Sequence, residues 1–182
     1  RRGATRDREG EGEIDRDAAK EPSLAEMTSA ALTLLKQDPD GFFVMIEGSR
    51  IDHAEHDNDA GATLREMRAF DDAVGEAVAF ARRDRHTLVV VTADHETGGL
   101  AIGRQRDGQS IYAFHPEVLE RVRVSGWKMT RLLRGGAPLD SVMKACAGLD
   151  SLGDVDRSLV TKALAEKGDG PLETPAVPPP TK

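Results

Sequence analysis

Two short apolar runs joined by a long helical pattern constrain the fold of this chain more than any other feature. The runs cover residues 42–46 and 87–92, and neither alternates apolar with polar side chains. A continuous apolar run of this length is typical of a strand buried on both faces of a parallel sheet. Between the runs, apolar residues recur at helical spacing from Leu64 to Ala81, and the mostly positive residues 82–85 predict the end of this helix. Strand, helix and strand at this spacing predict a βαβ unit with a right-handed crossover, and therefore an α/β fold.

Further helices are predicted on either side of this unit. Ser23 and Glu26 fit the S-x-x-E capping box that begins a helix. Beyond Gly99, residues 116–133 and 137–166 have the pattern of short amphipathic helices, and the second run is interrupted near residue 153. We therefore expect a partial sheet flanked by helices, with a helical insertion after the second strand.

Composition divides the chain and limits its partners. Residues 1–20 are predicted to be a polar loop or disordered arm, residues 21–166 a single domain, and residues 167–182 a proline-rich tail. The net charge of -7 argues against non-specific binding to nucleic acid or anionic lipid. No apolar run is long enough to span a bilayer. Cys146 is the single cysteine, so no internal disulfide can form.

Metal-capable side chains follow both apolar runs. Glu47, Asp52 and His56 come after the first run, and Asp94 and His95 come directly after the second. Ligands of α/β sheets bind beyond the carboxyl ends of the strands, so we expect these side chains to form one cluster. Asp and His suit zinc, whereas an oxygen-only Glu position suits magnesium. From the residues alone, phosphoryl or sulfuryl transfer and a purely structural metal site are equal alternatives.

Three stretches resemble the alkaline phosphatases. Residues 44–56 read VMIEGSRIDHAEH and residues 87–100 read TLVVVTADHETGGL, preceded by EPSLAEMT at residues 21–28. The resemblance implies two zinc sites and one magnesium site. Asp52 and His56 would bind the first zinc, Asp94 and His95 the second, and Glu47 the magnesium. His53 would lie near the magnesium, behind its direct ligands.

The same resemblance implies an activity and a setting. The family hydrolyses small-molecule phosphate monoesters through a phosphoserine intermediate, in the periplasm or outside the cell, and a homodimer is compatible with it. In the family, the nucleophilic serine lies in an Asp-Ser-Ala context, and a His-Thr-Gly motif supplies a second histidine to the first zinc. Neither motif is found in this sequence. Ser141 and Ser151 each follow an aspartate, but Val142 and Leu152 come next. We therefore assign no catalytic nucleophile and predict an incomplete chain that is inactive in isolation.

Other interpretations remain open at this point. The chain could be a catalytically silent metal-binding fragment, or part of a related metalloenzyme that acts on sulfate esters or phosphodiesters. The spacing from Glu47 to His56 favours the phosphatases over the last reading. His115 is a candidate to replace the zinc-binding histidine that the family supplies near its C-terminus. Trp127 and Tyr112 are predicted to pack in the core or between helices.

Overall fold

A computed structural model describes residues 12–101 and 116–166 of the chain. The first part of the predicted arm, the segment with Tyr112 and His115, and the proline-rich tail lie outside the described residues. A short 3-10 helix, Glu13–Asp15, comes first. The α-helices follow in this order: α1 Leu24–Leu35, α2 Arg50–His56, α3 Ala60–Asp84, α4 Pro116–Arg121, α5 Gly126–Arg134, α6 Leu139–Ala147 and α7 Asp154–Ala165.

The long helix α3 is the centre of the packing. Helices α1 and α2 and the 3-10 helix all lie against it, and α4 connects it to α6. Helix α5 packs against α6 and α7. Among the described residues, none of these helices combines the length and apolarity needed to cross a bilayer.

The predicted helix limits are confirmed where local signals mark them. Ser23 accepts a hydrogen bond from the backbone N–H of Glu26, whose side chain accepts one from Ser23 in return, so the capping box begins α1. Helix α3 ends with Arg82 and Arg83 in its last turn, where positive charge opposes the helix dipole. Arg85 then leaves the helix in the left-handed region at φ 65°. The break predicted near residue 153 separates α6 from α7.

The prediction of a partial sheet is wrong for the residues that the structure describes. Across residues 12–101 and 116–166 no β-strand is present, and both apolar runs lie between helices without regular secondary structure. In the first run Phe42, Val44 and Ile46 are half-buried, whereas Phe43 and Met45 are 93% and 76% exposed. This alternation has the two-residue period of an extended backbone that is covered on one side.

The second run shows one-sided burial only over residues 87–90, because Val91 is also 55% exposed. Thr87 and Val89 are half-buried, whereas Leu88 and Val90 are 87% and 74% exposed. A strand requires a neighbouring strand that pairs with its backbone N–H and C=O groups. The sequence shows that both runs carry apolar side chains on both faces. It does not show which other segments would pair with them as strands. The described residues supply helices on one side of the first run, where the Phe42 and Phe80 rings meet edge to face at 6.0 Å.

A buried carboxylate connects the 3-10 helix to α3. Glu66 is 8% exposed, and its Oε1 accepts a hydrogen bond from the backbone N–H of Glu13 at 2.5 Å. A Cβ at Gly12 would lie 2.1 Å from that oxygen, so glycine allows the close approach. Burial raises the pKa of Glu66, and the hydrogen bond from Glu13 opposes this effect only in part.

Replacing Glu66 by glutamine is expected to stabilise the chain at neutral pH. A carboxyl whose pKa is raised by folding contributes stability below its unfolded pKa, and that contribution is lost as pH rises through the folded pKa. The glutamine oxygen can still accept the Glu13 hydrogen bond, but it carries no charge to desolvate. Urea unfolding of both proteins at about pH 4 and about pH 8 measures the difference, which should be large only at the higher pH. The exposed Asp71→Asn is the control, and an equal gain there would refute the desolvation explanation.

Candidate metal centre

Helix α2 presents two of the predicted ligands on one side. Asp52 and His56 are one helical turn apart, and Asp52 Oδ2 lies 3.6 Å from His56 Nε2. Both side chains are accessible, with 40% and 66% of their surfaces exposed. Two donors that are each about 2.0–2.1 Å from a tetrahedral zinc lie about 3.3 Å apart. The separation in α2 is therefore close to the one that a shared zinc ion requires.

The loop after the second apolar run supplies a second pair. His95 Nε2 lies 3.3 Å from Asp94 Oδ2, again close to the separation of two zinc ligands. Their side chains are 59% and 87% exposed, so an ion can approach them from solvent. The chain bends at Asp94.

Thr97 holds this loop against α2. Its side chain is buried, with 6% of the residue exposed, and its hydroxyl donates a hydrogen bond of 2.7 Å to Asp52 Oδ1. His95 Nδ1 lies 3.1 Å from the same hydroxyl oxygen and 3.0 Å from the carbonyl oxygen of Glu96. Because the hydroxyl proton is committed to Asp52, Nδ1–H of His95 is the donor in these contacts. That tautomer leaves His95 Nε2 with the lone pair that a metal ion needs.

Gly98 allows the loop to approach the helix this closely. A Cβ at this position would lie 2.2 Å from the carbonyl oxygen of Glu55, and the residue has φ +69°. Both the contact and the backbone conformation exclude ordinary side chains. The turn at residues 98–99 therefore lets Thr97 lie against α2.

The remaining predicted residues lie nearby in sequence but do not complete a ligand set. Glu47 is exposed in the segment before α2. His53 is exposed on α2, with its Nδ1 3.4 Å from Arg50 Nη1. Within residues 12–101 and 116–166, no three His, Cys, Asp or Glu side chains converge closely enough to hold a metal ion. The donor types and pair separations fit zinc, and the described residues form two half-sites of two donors each.

Hydrogen bonding sets the charge of the site. The Thr97 hydroxyl lowers the pKa of the Asp52 carboxyl, and the nearby histidines act in the same direction. The Glu96 carbonyl and then the Asp94 carboxylate raise the pKa of His95. Asp52 therefore stays ionised well into acid, whereas His95 holds a proton to higher pH than an isolated histidine. A metal ion at His95 would have to displace that proton.

Asp59, which the sequence motifs did not single out, contacts three helices. Its Oδ1 accepts the backbone N–H of Ala62 at 2.9 Å and so caps α3, while its Oδ2 accepts the N–H of Gly126 at 2.6 Å. Its own N–H donates to the Ala54 carbonyl of α2 at 2.9 Å. The Asp59 side chain thus joins α3 to α5, and its backbone N–H joins both to the helix of Asp52 and His56. An aspartate directly before α3 is a typical N-cap and could have been predicted from the sequence. Its contact with Gly126, 67 residues away, could not.

Replacing Asp59 by alanine is expected to cost about 2–3 kcal/mol of unfolding free energy, because two helix N-termini lose an acceptor. Urea unfolding measures this directly. Asp72→Ala, on the exposed face of α3, is the matched control and should change stability by less than about 0.5 kcal/mol. An equal, small effect of both substitutions would show that the junction contributes little.

By donor type, the two Asp–His pairs belong to the class of candidate zinc centres, and comparisons with known proteins identify the family. The sequence model of the alkaline phosphatase family matches residues 4–126 of the chain. Since this is more than half of the chain, the protein belongs to the alkaline phosphatase family, which confirms the resemblance seen in the motifs.

Individual relatives agree with this assignment. The chain is 38% identical to "Alkaline phosphatase 4" of Bacillus subtilis (strain 168), over 86% of this chain and 33% of that protein. It is 44% identical to the "Repressible alkaline phosphatase" of Saccharomyces cerevisiae, over 66% of this chain and 23% of that protein. Its structure is similar to that of a cold-active alkaline phosphatase from the psychrophile Shewanella sp. The TM-score is 0.72 at 29% identity, over 85% of this chain and 37% of that one. The chain thus spans about a third of the length of the Bacillus relative.

Proposed function

We propose that this chain contributes part of the metal centre of an enzyme that hydrolyses phosphate monoesters. The observation that supports this most directly is the hydrogen bond from Thr97 to Asp52, which joins the two motif segments at one place. The segments are 45 residues apart in sequence, so a shared role explains why they meet. Membership of the alkaline phosphatase family supplies the reaction class.

In this proposal each Asp–His pair belongs to one zinc ion. Asp52 and His56 would bind the first zinc, Asp94 and His95 the second, and Glu47 a magnesium ion, with His53 behind the magnesium ligands. Bound zinc would supply positive charge that polarises a phosphoryl oxygen and activates the attacking oxygen. The chain's negative net charge makes such local positive charge necessary for an anionic substrate.

The chain's own residues orient the donors. Thr97 fixes one oxygen of Asp52, which leaves Oδ2 directed toward His56. Glu96 accepts from His95 Nδ1 and so directs its Nε2 toward the side where Asp94 lies. Partners of this kind, which hold ligands without touching the metal, typically change metal affinity by about 10–100-fold.

The nucleophile would come from another part of the enzyme. Ser141 lies in α6, which packs against α4 and α5, and Ser151 lies in the loop before α7. We propose small-molecule phosphate monoesters as substrates, in a periplasmic or extracellular setting, with a homodimer as the assembly.

The product of the full reading frame that contains these residues provides the test. With zinc and magnesium, it should hydrolyse p-nitrophenyl phosphate faster than bis-p-nitrophenyl phosphate or p-nitrophenyl sulfate. Faster turnover of the sulfate or the diester would replace the proposal with one of those reaction classes. Loss of turnover on chelation, restored by zinc, is also expected.

A catalytically silent, metal-binding role is the second candidate. It is favoured by the lack of an Asp-Ser-Ala nucleophile context in this sequence. The product of the full reading frame distinguishes the two candidates, because the silent role requires that it bind zinc without hydrolysing p-nitrophenyl phosphate. Zinc-dependent turnover by that product would exclude the silent role.

A further inference from the structure

Helix α5 forms a cleft that is separate from the Asp–His pairs. The cleft has a volume of about 320 Å³ and is lined by Asp15, Trp127, Lys128, Arg131 and Leu132. This volume is at the lower end of the range for small-molecule sites, about 300–1,000 Å³, and suits a ligand of one or two rings.

The wall of the cleft is held in place by a buried carboxylate. The Asp15 side chain is 1% exposed, and its Oδ2 accepts a 2.6 Å hydrogen bond from the Ser125 hydroxyl. The backbone N–H of Ser125 donates to Asp15 Oδ1 at 3.3 Å. Ser125 also caps α5, since its hydroxyl oxygen accepts from the N–H of Lys128 at 3.1 Å. The cleft is therefore built on a fixed helix start rather than on a surface loop.

Two cations and an aromatic ring provide its chemistry. The guanidinium carbon of Arg131 lies 4.7 Å from the centroid of the Trp127 ring, a stacked cation–π pair. Lys128 Nζ is 3.6 Å from Asp15 Oδ1, and the Lys128 side chain is 47% exposed. Asp15 thus offsets one of the two positive charges, and the lining remains cationic on a chain whose net charge is -7. Leu132, which is 42% exposed, adds an apolar edge.

From this arrangement we propose that the α5 cleft binds a small aromatic anion, meaning an aromatic ring that carries a phosphonate, phosphate or carboxylate group. The ring stacks on the Trp127–Arg131 pair and the anionic group lies against Lys128. This site involves no metal ion and does not depend on the proposed phosphatase activity. The simpler explanation is that the Trp127–Arg131 pair only packs the surface of α5.

The chain carries its own probe, because Trp127 is its single tryptophan. The 182-residue chain is titrated in EDTA at physiological salt while Trp127 fluorescence is followed. Phenylphosphonate is the probe ligand, methylphosphonate keeps the anion without the ring, and benzyl alcohol keeps the ring without the charge. We expect phenylphosphonate to change the emission saturably with a dissociation constant below about 1 mM. The other two compounds should bind at least about tenfold more weakly, because each lacks one of the two interactions.

Matched variants locate the site. Arg131→Gln and Lys128→Gln should each weaken phenylphosphonate binding about tenfold, since each removes a charged contact. Arg83→Gln, at the exposed end of α3, should leave it unchanged, and circular dichroism checks that all three variants are folded. The proposal is overturned if phenylphosphonate produces no saturable change, if methylphosphonate binds equally well, or if Arg83→Gln weakens binding as much as Arg131→Gln. EDTA removes any metal ion that could bind phenylphosphonate at the Asp–His pairs. The result of this titration therefore leaves the proposed function to its own test.

Discussion

Replacing His56 by alanine is expected to lower the affinity of its half-site for zinc at least on the order of 100-fold, the upper end of the range for the loss of an outer hydrogen-bonding partner. The substitution leaves Asp52 as the remaining donor of its pair, and a single carboxylate is a weak site for zinc. The helix should survive, because His56 is exposed at the end of α2. Competition with a chromophoric chelator at neutral pH measures the affinity of this half-site, and circular dichroism checks the fold.

The chain offers a control of the same residue type. His86 is exposed between α3 and the second apolar run and lies outside both Asp–His pairs. His86→Ala should leave zinc affinity unchanged within about twofold, since surface substitutions away from a site have small effects. If both substitutions weaken zinc binding equally, the ion is held by scattered surface histidines and the assignment of His56 fails.

Two adjacent phenylalanines give the second large prediction. Phe42→Ala should destabilise the chain by about 2 kcal/mol, less than the 3–5 kcal/mol typical of a fully buried phenylalanine, because Phe42 is half-buried. Its ring meets the Phe80 ring of α3 edge to face at 6.0 Å, and alanine loses that contact. Urea unfolding followed by circular dichroism measures the change.

Phe43→Ala is the matched control, with the same chemistry one residue away. Phe43 is 93% exposed, so its removal should change stability by less than about 0.5 kcal/mol. A segment covered on both faces, as in the buried strand that the apolar run predicted, would show large losses for both substitutions. The two substitutions therefore test whether this segment is covered on one face only. Equal losses of stability would show that it is covered on both.

Sequence patterns were sufficient to predict the helices. A capping box, a 3.6-residue apolar period and terminal arginines identified α1 and α3, because helix hydrogen bonds join residues close in sequence. The motifs likewise identified the family, which the match over residues 4–126 confirmed. The proposed division of the chain into arm, domain and tail, and the ligand roles of Glu47, Asp52, His56, Asp94 and His95, stay predictions.

The sheet shows where sequence patterns do not suffice. The apolar run at residues 42–46 predicted burial on both faces, yet a strand forms only when another segment pairs with it. That partner is a long-range property, and no pattern within the run specifies it. Among the described residues the run is covered on one side, with Phe43 and Met45 exposed on the other.

The sequence by itself determined the family, the start of α1 and the end of α3, and it predicted the types of metal donor, because each depends on residue identity and short-range spacing. The tertiary structure decided which donors meet. Thr97 brings the Asp94–His95 loop to Asp52, Gly98 allows that approach, and Asp59 joins three helices. These contacts connect residues 45 and 67 positions apart. Chain folding alone makes such residues neighbours, so spacing along the sequence could not reveal them.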